Sequence, residues 1–583
     1  MKQLLQKYRV GFAVIVCIAV LFLSNLFSYR LDLTQDKRFT LSHSTTQLLE
    51  DLDSAITVEV FLTGELPADY KKLSVAVKDM LESFNSHTPN LIRIVWKRPG
   101  ENITDEKEKI RLYDSLASLG VVIEKTSIAS EDADKTTSQL IFPSALVQYG
   151  SGRQPVAIDL RSSKKIYKQY NVITDEPQED IEATRNAAEA LLENKFAEAI
   201  NKLTRKSVPT IAYVVGNGEP TDLTVNDLGE SLRNDYRLGV FDLKHAYPDA
   251  AVIQTLIIVK PTQPFSEEEQ LKLDQYVMNG GNIIWFIDKL YAELDSLKNT
   301  NGQYTAFDRG LGLDELLFKY GVRINPDLLQ DLHCSKLPLV VGKNPDGSIR
   351  MQRVPWPYYP FLSARTNNPV SQHIDRVLPI FPSSIDTVQA RGIRKTILLS
   401  SDTNSRRIAT PAIVALNSVQ NEEDLNSFNQ SFVPVAVLLE GPFHSLFANR
   451  ISKSLMDSVQ QKTGKAFLPS AVKEAKQIVV SDADIVMNAI SNTTGPLPMG
   501  MLPMENYRFA NREFLLNSID YLSSDKKLFE SRNKTVVLRL LDKQKLREQK
   551  TSWQLLNLLI PLGLLALIGG LFQWWRNRHY TSK

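Results

Sequence analysis

The segment FSEEEQLKLDQYVMNGGNIIWFID, residues 265–288, decides the fold of the largest part of this chain. Ser266 followed by Glu269 is a capping box, which predicts the start of a helix. Gly280-Gly281 ends that helix, and an apolar strand follows over residues 282–287. The segment is therefore a helix–strand unit of the kind that builds α/β sheets.

The chain before this segment repeats the pattern. Apolar runs predict strands over 210–215, 240–243 and 255–259, and a helix is predicted over 226–234. Strands that alternate with helices of this length form a parallel sheet with helices on both faces. The sequence therefore predicts a doubly wound α/β domain.

The first of these strands ends in the turn Gly216-Asn217-Gly218-Glu219. In a doubly wound sheet such a turn lies at the carboxyl edge, where ligands usually bind. Two glycines without a lysine do not make a phosphate-binding loop, and a tight turn that needs glycine for its positive φ is an equally simple explanation. We expect these four residues to form a ligand or partner edge.

A smaller α/β domain precedes the doubly wound one. Its pattern is strand, helix, strand and hairpin, with a polar stretch that predicts a mobile loop. A long helical stretch over 179–205 would then connect the two domains. Strands are predicted over 56–62 and 91–96, a helix over 67–84, the loop over 127–138, and the hairpin over 145–149 and 156–160.

Both ends of the chain have the composition of membrane helices. Residues 10–27 contain no charged side chain, and residues 555–571 are apolar between flanking tryptophans. A cleavable signal peptide is the alternative for the first segment, but no Ala-x-Ala site follows it. The predicted organisation is a leader (1–9), a transmembrane helix (10–28), an N-terminal α/β domain (29–178), a connector helix (179–207), a second α/β domain (208–540), a stalk (541–552), a transmembrane helix (553–575) and a tail (576–583).

Two spans would place both termini on one side of the membrane. The basic leader Lys2, Lys7 and Arg9 favours the cytoplasm for that side, although long loops cross membranes largely regardless of their charge. We therefore expect a protein of the cytoplasmic (inner) membrane with its large domain in the periplasm.

Composition excludes several classes of protein. The 583 residues include 68 basic and 66 acidic side chains, and this balance does not favour a nucleic-acid-binding protein. Removing the three basic residues at each end leaves 62 basic against 66 acidic residues, so the body is mildly acidic. Two cysteines, Cys17 and Cys334, are too few for a disulfide framework or a four-cysteine zinc site.

No motif predicts catalysis. The sequence has neither GxxxxGK[ST] nor GxSxG, and its seven histidines lack metal-ligand spacing. Cys334 beside His333 is better explained as a packing residue than as a catalytic dyad. The segment RVPWPYYPFL, residues 353–362, cannot be a helix, and a loop that packs its own rings is favoured over a partner-binding segment. We predict no enzyme, no cofactor and no metal site.

An ordered set of segments resembles one protein family. RLDLTQDKRFTLSHSTTQLLEDL, YVVGNGEP, NNPVSQHIDRVLPIFPSSIDTV, PVAVLLEGPFHSLFANR and NREFLLNSIDYL, together with the segment over 265–288, are similar to the GldG gliding-motility family. Members of that family are auxiliary components of ABC-type transport systems. The resemblance extends over nearly the whole chain.

The resemblance implies properties that composition does not. It implies a substrate-binding-like subunit partnered with a membrane permease and a separate ATPase. It also implies that the second domain has the fold of class I glutamine amidotransferases without their cysteine nucleophile. Asn217 stands where relatives commonly have histidine, which makes chemistry at this turn less expected.

Three functional hypotheses follow. The leading one is a non-catalytic, membrane-anchored auxiliary subunit of an ABC-type transporter. The second is an envelope hydrolase or amidotransferase-like enzyme, which would need Cys334 or Glu219. The third is a purely structural scaffold of the envelope.

Overall fold

The computed structural model describes residues 40–580, apart from 89–90, 130–135, 151–153, 172–175, 206, 299, 301, 344–346, 417–421, 492, 504–506 and 524–542. The chain divides into two compact units, Met1–Lys534 and Thr535–Lys583. The predicted first membrane span lies outside the described residues, and so does the apolar run over 536–540, which predicts a strand.

The described strands form sheets of two to seven strands. The first twelve are β1 Ile56–Val60, β2 Ile92–Trp96, β3 Glu124–Ala129, β4 Thr136–Ile141, β5 Ser144–Tyr149, β6 Val156–Asp159, β7 Tyr167–Asn171, β8 Glu176–Glu179, β9 Thr210–Val215, β10 Arg237–Asp242, β11 Thr255–Val259 and β12 Asn282–Phe286. The others are β13 Leu290–Tyr291, β14 Gln303–Asp308, β15 Val322–Ile324, β16 Asp327–Asp331, β17 Cys334–Lys343, β18 Ile349–Pro360, β19 Ile385–Thr387, β20 Arg394–Ser400, β21 Ser405–Ala409, β22 Ala412–Ala415, β23 Pro434–Gly441, β24 Ala475–Val480, β25 Ile490–Ser491 and β26 Gly495–Pro496.

The α-helices fall between these strands and at the C-terminal end. They are α1 His43–Glu50, α2 Ala68–His87, α3 Glu106–Ser118, α4 Ile181–Thr204, α5 Asn226–Arg233, α6 Glu267–Met278, α7 Leu294–Lys298, α8 Asp314–Tyr320, α9 Glu422–Asn426, α10 Lys453–Thr463, α11 Asn511–Ser523 and α12 Lys543–Tyr580.

A seven-stranded sheet forms the centre of the larger part of the first unit. Its order is β10-β9-β11-β12-β24-β23-β20. The first five strands are parallel, as predicted, whereas β23 runs antiparallel to both of its neighbours, β24 and β20. The expectation of a wholly parallel sheet is therefore wrong at one side. An apolar run gives a strand but not its direction, which depends on how the chain returns to the sheet.

Helices cover both faces of this sheet. On one face α5 and α11 pack Leu232, Phe514 and Ile519 against the strands. On the other face α6 and α8 contribute residues such as Tyr276 and Leu317. Because the central strands are buried on both faces, they are continuous apolar runs in the sequence.

The N-terminal part contains a four-stranded sheet of order β2-β1-β5-β6. Its predicted hairpin is confirmed as the antiparallel pair β5–β6. The helix predicted over 179–205 is α4, which packs into the core of this sheet and sets Phe196 edge-on to Phe84. Lys202 of α4 also contacts Asp235, just before β10, at 2.8 Å, so α4 joins this core to the larger sheet.

Two local predictions are wrong. The stretch expected as a loop over 127–138 belongs at both ends to the antiparallel strands β3 and β4, because threonine-rich segments pair well in sheets. The Pro/aromatic segment is not a loop but the end of β18. Its rings do pack on one another, as expected, since the ring centre of Trp356 lies 5.1 Å from that of Tyr358 and 5.0 Å from that of Tyr359.

Apart from β20, which belongs to the large sheet, the chain between β12 and β23 is an insertion that forms several small sheets and most of one apolar cluster. This insertion reaches the carboxyl end of β24, where Ser383 N donates to Ser481 O at 3.1 Å and Ile380 N donates to Asp482 Oδ2 at 2.9 Å. It therefore covers part of the edge at which a doubly wound sheet usually binds ligands.

The second unit contains α12, which includes the predicted C-terminal span and the predicted stalk from Lys543 onward. Within α12, Glu548–Arg578 is long and apolar enough to cross a membrane, and it is the one such helix in the part of the chain that the structure describes. Pro561 lies inside this helix, as membrane helices tolerate.

Candidate functional site

The turn Gly216–Glu219 begins directly after β9, at the carboxyl edge of the large sheet. Gly216 and Gly218 have φ values of +130° and +81°, a region that favours glycine. The carbonyl of Asn217 accepts hydrogen bonds from Thr262 N at 2.9 Å and from Gln263 N at 2.8 Å. The turn is therefore fixed to the loop that follows β11.

The polar side chains of this turn are buried. Asn217 is 1% and Glu219 is 7% exposed. Asn217 Nδ2 donates to Glu269 Oε2 at 3.2 Å, which couples the turn to the capping box of α6, and Asn217 N donates to Glu219 Oε2 at 2.7 Å. Burial raises the pKa of Glu219.

One oxygen of each buried side chain lacks a partner. Asn217 Oδ1 and Glu219 Oε1 accept no hydrogen bond among the described residues. A buried acceptor without a partner costs about 1–3 kcal/mol. The four predicted residues thus lie together at the sheet edge with two unused acceptors, and that they bind a ligand stays a prediction.

A buried cluster of charges, which was not predicted from the sequence, lies at the same edge. Lys260 directly follows β11, Asp288 follows β12 after one residue, and Asp484 lies just beyond β24. Lys260 Nζ is 3.3 Å from Asp288 Oδ2 and 3.1 Å from Asp484 Oδ1. Three buried strand ends are therefore joined through one ammonium group.

The insertion contributes further charges to this cluster. Glu293 Oε1 lies 3.3 Å from Lys260 Nζ and 2.9 Å from the guanidinium of Arg309. Asp482 accepts backbone hydrogen bonds from Ile485 N at 3.0 Å and from Ile380 N at 2.9 Å. The cluster thus combines four carboxyl groups with two basic groups, so its acidic groups are in excess.

The excess changes the proton affinities of the cluster. Burial, reinforced by Asp484 and Asp288, raises the pKa of Asp482 well above its usual range. Burial also raises the pKa of Asp484 to about 7, against the attraction of Lys260. Burial disfavours the charged lysine, but Asp288, Asp484 and Glu293 outweigh it and raise the pKa of Lys260. Lys260 therefore remains an ammonium ion at neutral pH.

The arrangement does not require a metal ion. One carboxylate oxygen from each of Asp288, Asp482 and Asp484 lies within 4.8 Å of the others, a spacing that could hold a cation. Lys260, however, already places its positive charge against Asp288 and Asp484. Its φ of +46° is uncommon for a residue with a side chain, which indicates that its position is imposed by the surrounding fold.

The residues of the enzyme hypothesis do not form a dyad suited to catalysis. Burial raises the pKa of the Cys334 thiol to about 12, so the thiol stays protonated at neutral pH. His333 Nδ1 is instead 2.9 Å from Asp402 Oδ2, and its ring packs edge-on against Phe361.

Comparison with known proteins identifies the family. The family described as an ABC-type uncharacterized transport system matches residues 208–518, just over half of the chain. The chain belongs to this family. Residues 35–148 match a domain of unknown function, DUF7088. The match supports an accessory component of an ABC-type transport system that associates with the membrane.

No curated protein matches the chain. Among solved structures, the N-terminal domain of mmIFT52 is 11% identical, with a TM-score of 0.30, and the match covers 54% of this chain and 98% of that one. A ThuA-like protein from Parabacteroides merdae is 12% identical, with a TM-score of 0.26 and coverages of 58% and 94%. The exo-beta-1,4-mannosidase Op5Man5 from an Opitutaceae bacterium is 11% identical, with a TM-score of 0.19 and coverages of 54% and 36%.

Proposed function

We propose that this protein is a non-catalytic, membrane-anchored auxiliary subunit of an ABC-type transporter, of the GldG gliding-motility type and substrate-binding-like. Its partners would be a membrane permease and a separate ATPase. Membership of the ABC-type family over 208–518 is the observation that carries the proposal. The apolar helix Glu548–Arg578 supports the membrane anchor.

The proposed topology has two spans, residues 10–28 and 553–575, in the cytoplasmic (inner) membrane. The N-terminal domain (29–178), the connector helix (179–207) and the second domain (208–540) would lie in the periplasm. The basic leader before the first span supports this orientation. The stalk (541–552) would transmit motion between the soluble body and the membrane.

A non-catalytic role is supported by the chemistry of the site. The sequence has no phosphate-binding loop, so ATP hydrolysis would fall to another subunit. The lone soluble thiol, Cys334, has a pKa raised by burial, which does not suit a nucleophile. In this proposal a ligand or partner binds at the Gly216–Glu219 edge, and ATP hydrolysis moves the domain through its helices.

Co-purification from native membranes tests the proposal. We expect the tagged full-length chain, extracted in mild detergent, to recover an ABC permease and an ATPase in constant ratio. A Cys334→Ala chain should recover both equally well and leave any transport phenotype unchanged, because the thiol has no catalytic role in this proposal. Recovery of the chain without either subunit would contradict the proposal.

A further inference from the structure

A pocket of about 530 Å³ opens beside α6, within the size range of small-molecule sites. One wall is the segment 244–249, which follows β10, and the other walls come from α6 and from the end of α10 with the loop after it. No residue of the insertion between β12 and β23 lines it. The pocket therefore lies at a part of the sheet that the insertion does not cover.

The pocket adjoins the predicted ligand edge. A Cβ atom placed on Gly216 would lie 3.3 Å from Lys244 Cγ and 3.5 Å from Asp242 Oδ1. Lys244 is also one of the residues that line the pocket. The predicted turn and the pocket are thus neighbours at the carboxyl ends of β9 and β10.

Positive charge predominates in the pocket. Four lysines and two acids line it: Lys244, Lys272, Lys462, Lys465, Asp249 and Glu268. The pocket lining therefore has a net charge of +2, whereas the chain without its basic ends has 62 basic and 66 acidic residues. A local excess of positive charge on an acidic protein attracts anions.

The four lysines differ in what they already bind. Lys272 is committed to the fold, since its Nζ donates to the carbonyls of Leu243 and Lys244 at 2.8 and 2.9 Å. Lys462 lies 2.9 Å from Glu268 and Lys465 lies 2.7 Å from Asp249, and both lysines are half-exposed, so these pairs are weakly held. Lys244 is exposed, and no acidic partner lies in salt-bridge range among the described residues.

Tyr247 provides an aromatic surface with an unused hydroxyl. The ammonium groups of Lys272 and Lys462 lie 5.4 and 5.9 Å from the centre of its ring. Its hydroxyl oxygen is buried and has no hydrogen-bond partner among the described residues. A ligand that accepts a hydrogen bond from this hydroxyl would remove the cost of leaving it unpaired.

We propose that this pocket binds a small organic anion, a phosphate- or carboxylate-bearing solute whose carbon body lies against Tyr247. Lys244 and Lys462 would hold the anionic group, and the Tyr247 hydroxyl would donate to it. We thereby name the class of ligand that the Gly216–Glu219 edge of the proposed function would bind. Only the biological role of that ligand rests on the proposed function. Binding to the purified chain can fail while co-purification with transporter subunits succeeds, so the two failures are distinguishable.

The test uses the full-length chain in detergent at low salt, with phenyl phosphate as the probe and benzyl alcohol as its neutral counterpart. Phenyl phosphate should raise the melting temperature in a saturable way up to about 10 mM, a range that detects even a millimolar Kd. Benzyl alcohol should not. The phenyl phosphate effect should fall as salt rises, because the lysines are exposed.

Two variants assign the effect to the pocket. Lys244→Gln/Lys462→Gln should weaken phenyl phosphate binding at least about tenfold, a loss of about 1.4 kcal/mol. Lys78→Gln is the matched control, since Lys78 is an exposed lysine that pairs with Glu82 on α2, outside the pocket. Tyr247→Phe should leave the unliganded protein as stable as before or more so, yet weaken binding, which a purely structural tyrosine would not do.

Three outcomes would overturn the proposal. They are the absence of any saturable shift with phenyl phosphate, an equal shift with benzyl alcohol, and full retention of binding in the Lys244→Gln/Lys462→Gln chain.

Discussion

Asp482 and Asp484 are buried carboxyl groups whose pKa values are raised, so the stability of the fold depends on their protonation. A carboxyl whose pKa is raised in the folded state holds its proton where the unfolded chain has lost it. Between the ordinary carboxyl pKa of about 4 and the value of about 7 for Asp484, the folded protein therefore binds more protons. Stability due to this group is present below that window and is lost as pH rises through it.

The variant Asp484→Asn tests this linkage. It removes the titrating group, so the loss of unfolding free energy between about pH 5 and about pH 8 should shrink by on the order of 1–2 kcal/mol. Denaturant unfolding of the detergent-solubilised chain, followed through the buried Trp285, measures it. Asp457→Asn, at an exposed position on α10, is the control. Equal pH slopes for wild type and Asp484→Asn would refute the assignment.

Gly218 is the position where the predicted edge is least tolerant of a side chain. A Cβ atom there would approach Thr262 Oγ1 to 2.1 Å, and the φ of +81° already disfavours other residues. Gly310 has a similar φ of +65° with nothing within 4 Å of its added Cβ, so Gly310→Ala isolates the conformational cost. We expect Gly218→Ala to lower unfolding free energy by about 2–4 kcal/mol and Gly310→Ala by about 1 kcal/mol. Equal losses would mean that the turn accommodates the methyl group.

The capping box of α6 fixes both the start of this helix and the Gly216–Glu219 turn. Ser266 Oγ accepts from Glu269 N, and the Glu269 carboxylate accepts from both Ser266 N and Asn217 Nδ2. Ser266→Ala should cost about 1–2 kcal/mol of unfolding free energy. Ser452→Ala, at the cap of α10, removes a single cap bond and should cost less. If Ser452→Ala lowers the unfolding free energy more than Ser266→Ala does in the same denaturation experiment, the capping box of α6 does not have this role.

Elements were predictable where the local pattern alone determines them. The strands β9 and β11 have the predicted bounds, because apolar runs between breakers define buried strands. The direction of β23 and the many short pairings of the insertion depend on contacts far apart in sequence, which periodicity does not encode. The polar strands β3 and β4 lack any apolar alternation that would distinguish them from a loop.

The candidate site was predictable in part. The reasoning that selected Gly216, a special residue directly after a buried strand, applies equally to Lys260 after β11 and to Asp288 after β12. That signal was present in the sequence. The approach of Asp484 and Glu293 to the same ammonium group could not be predicted, since it depends on how β24 and the insertion meet the sheet.

For the whole molecule, charge and hydropathy describe an acidic body between apolar segments with basic tips. The described apolar helix has its side chains exposed throughout, including Leu565 at 67%, as expected for a helix that lipid or a membrane partner surrounds. A helix of this kind could serve as an anchor alone or as a docking element for a permease. A subunit of an ABC transporter needs both the anchor and the docking element.

In-cell photo-crosslinking from this helix tests whether it docks against a permease. A photoreactive residue at position 565 should form an adduct with the permease subunit of an ABC transporter, and the ATPase should be recovered with that adduct. The same residue at Val240, which is 73% exposed on β10, is the matched control and should not reach a membrane-embedded subunit. Adducts from position 565 that contain only lipid, or only proteins unrelated to ABC transport, would contradict the proposal that this chain is a subunit of an ABC transporter.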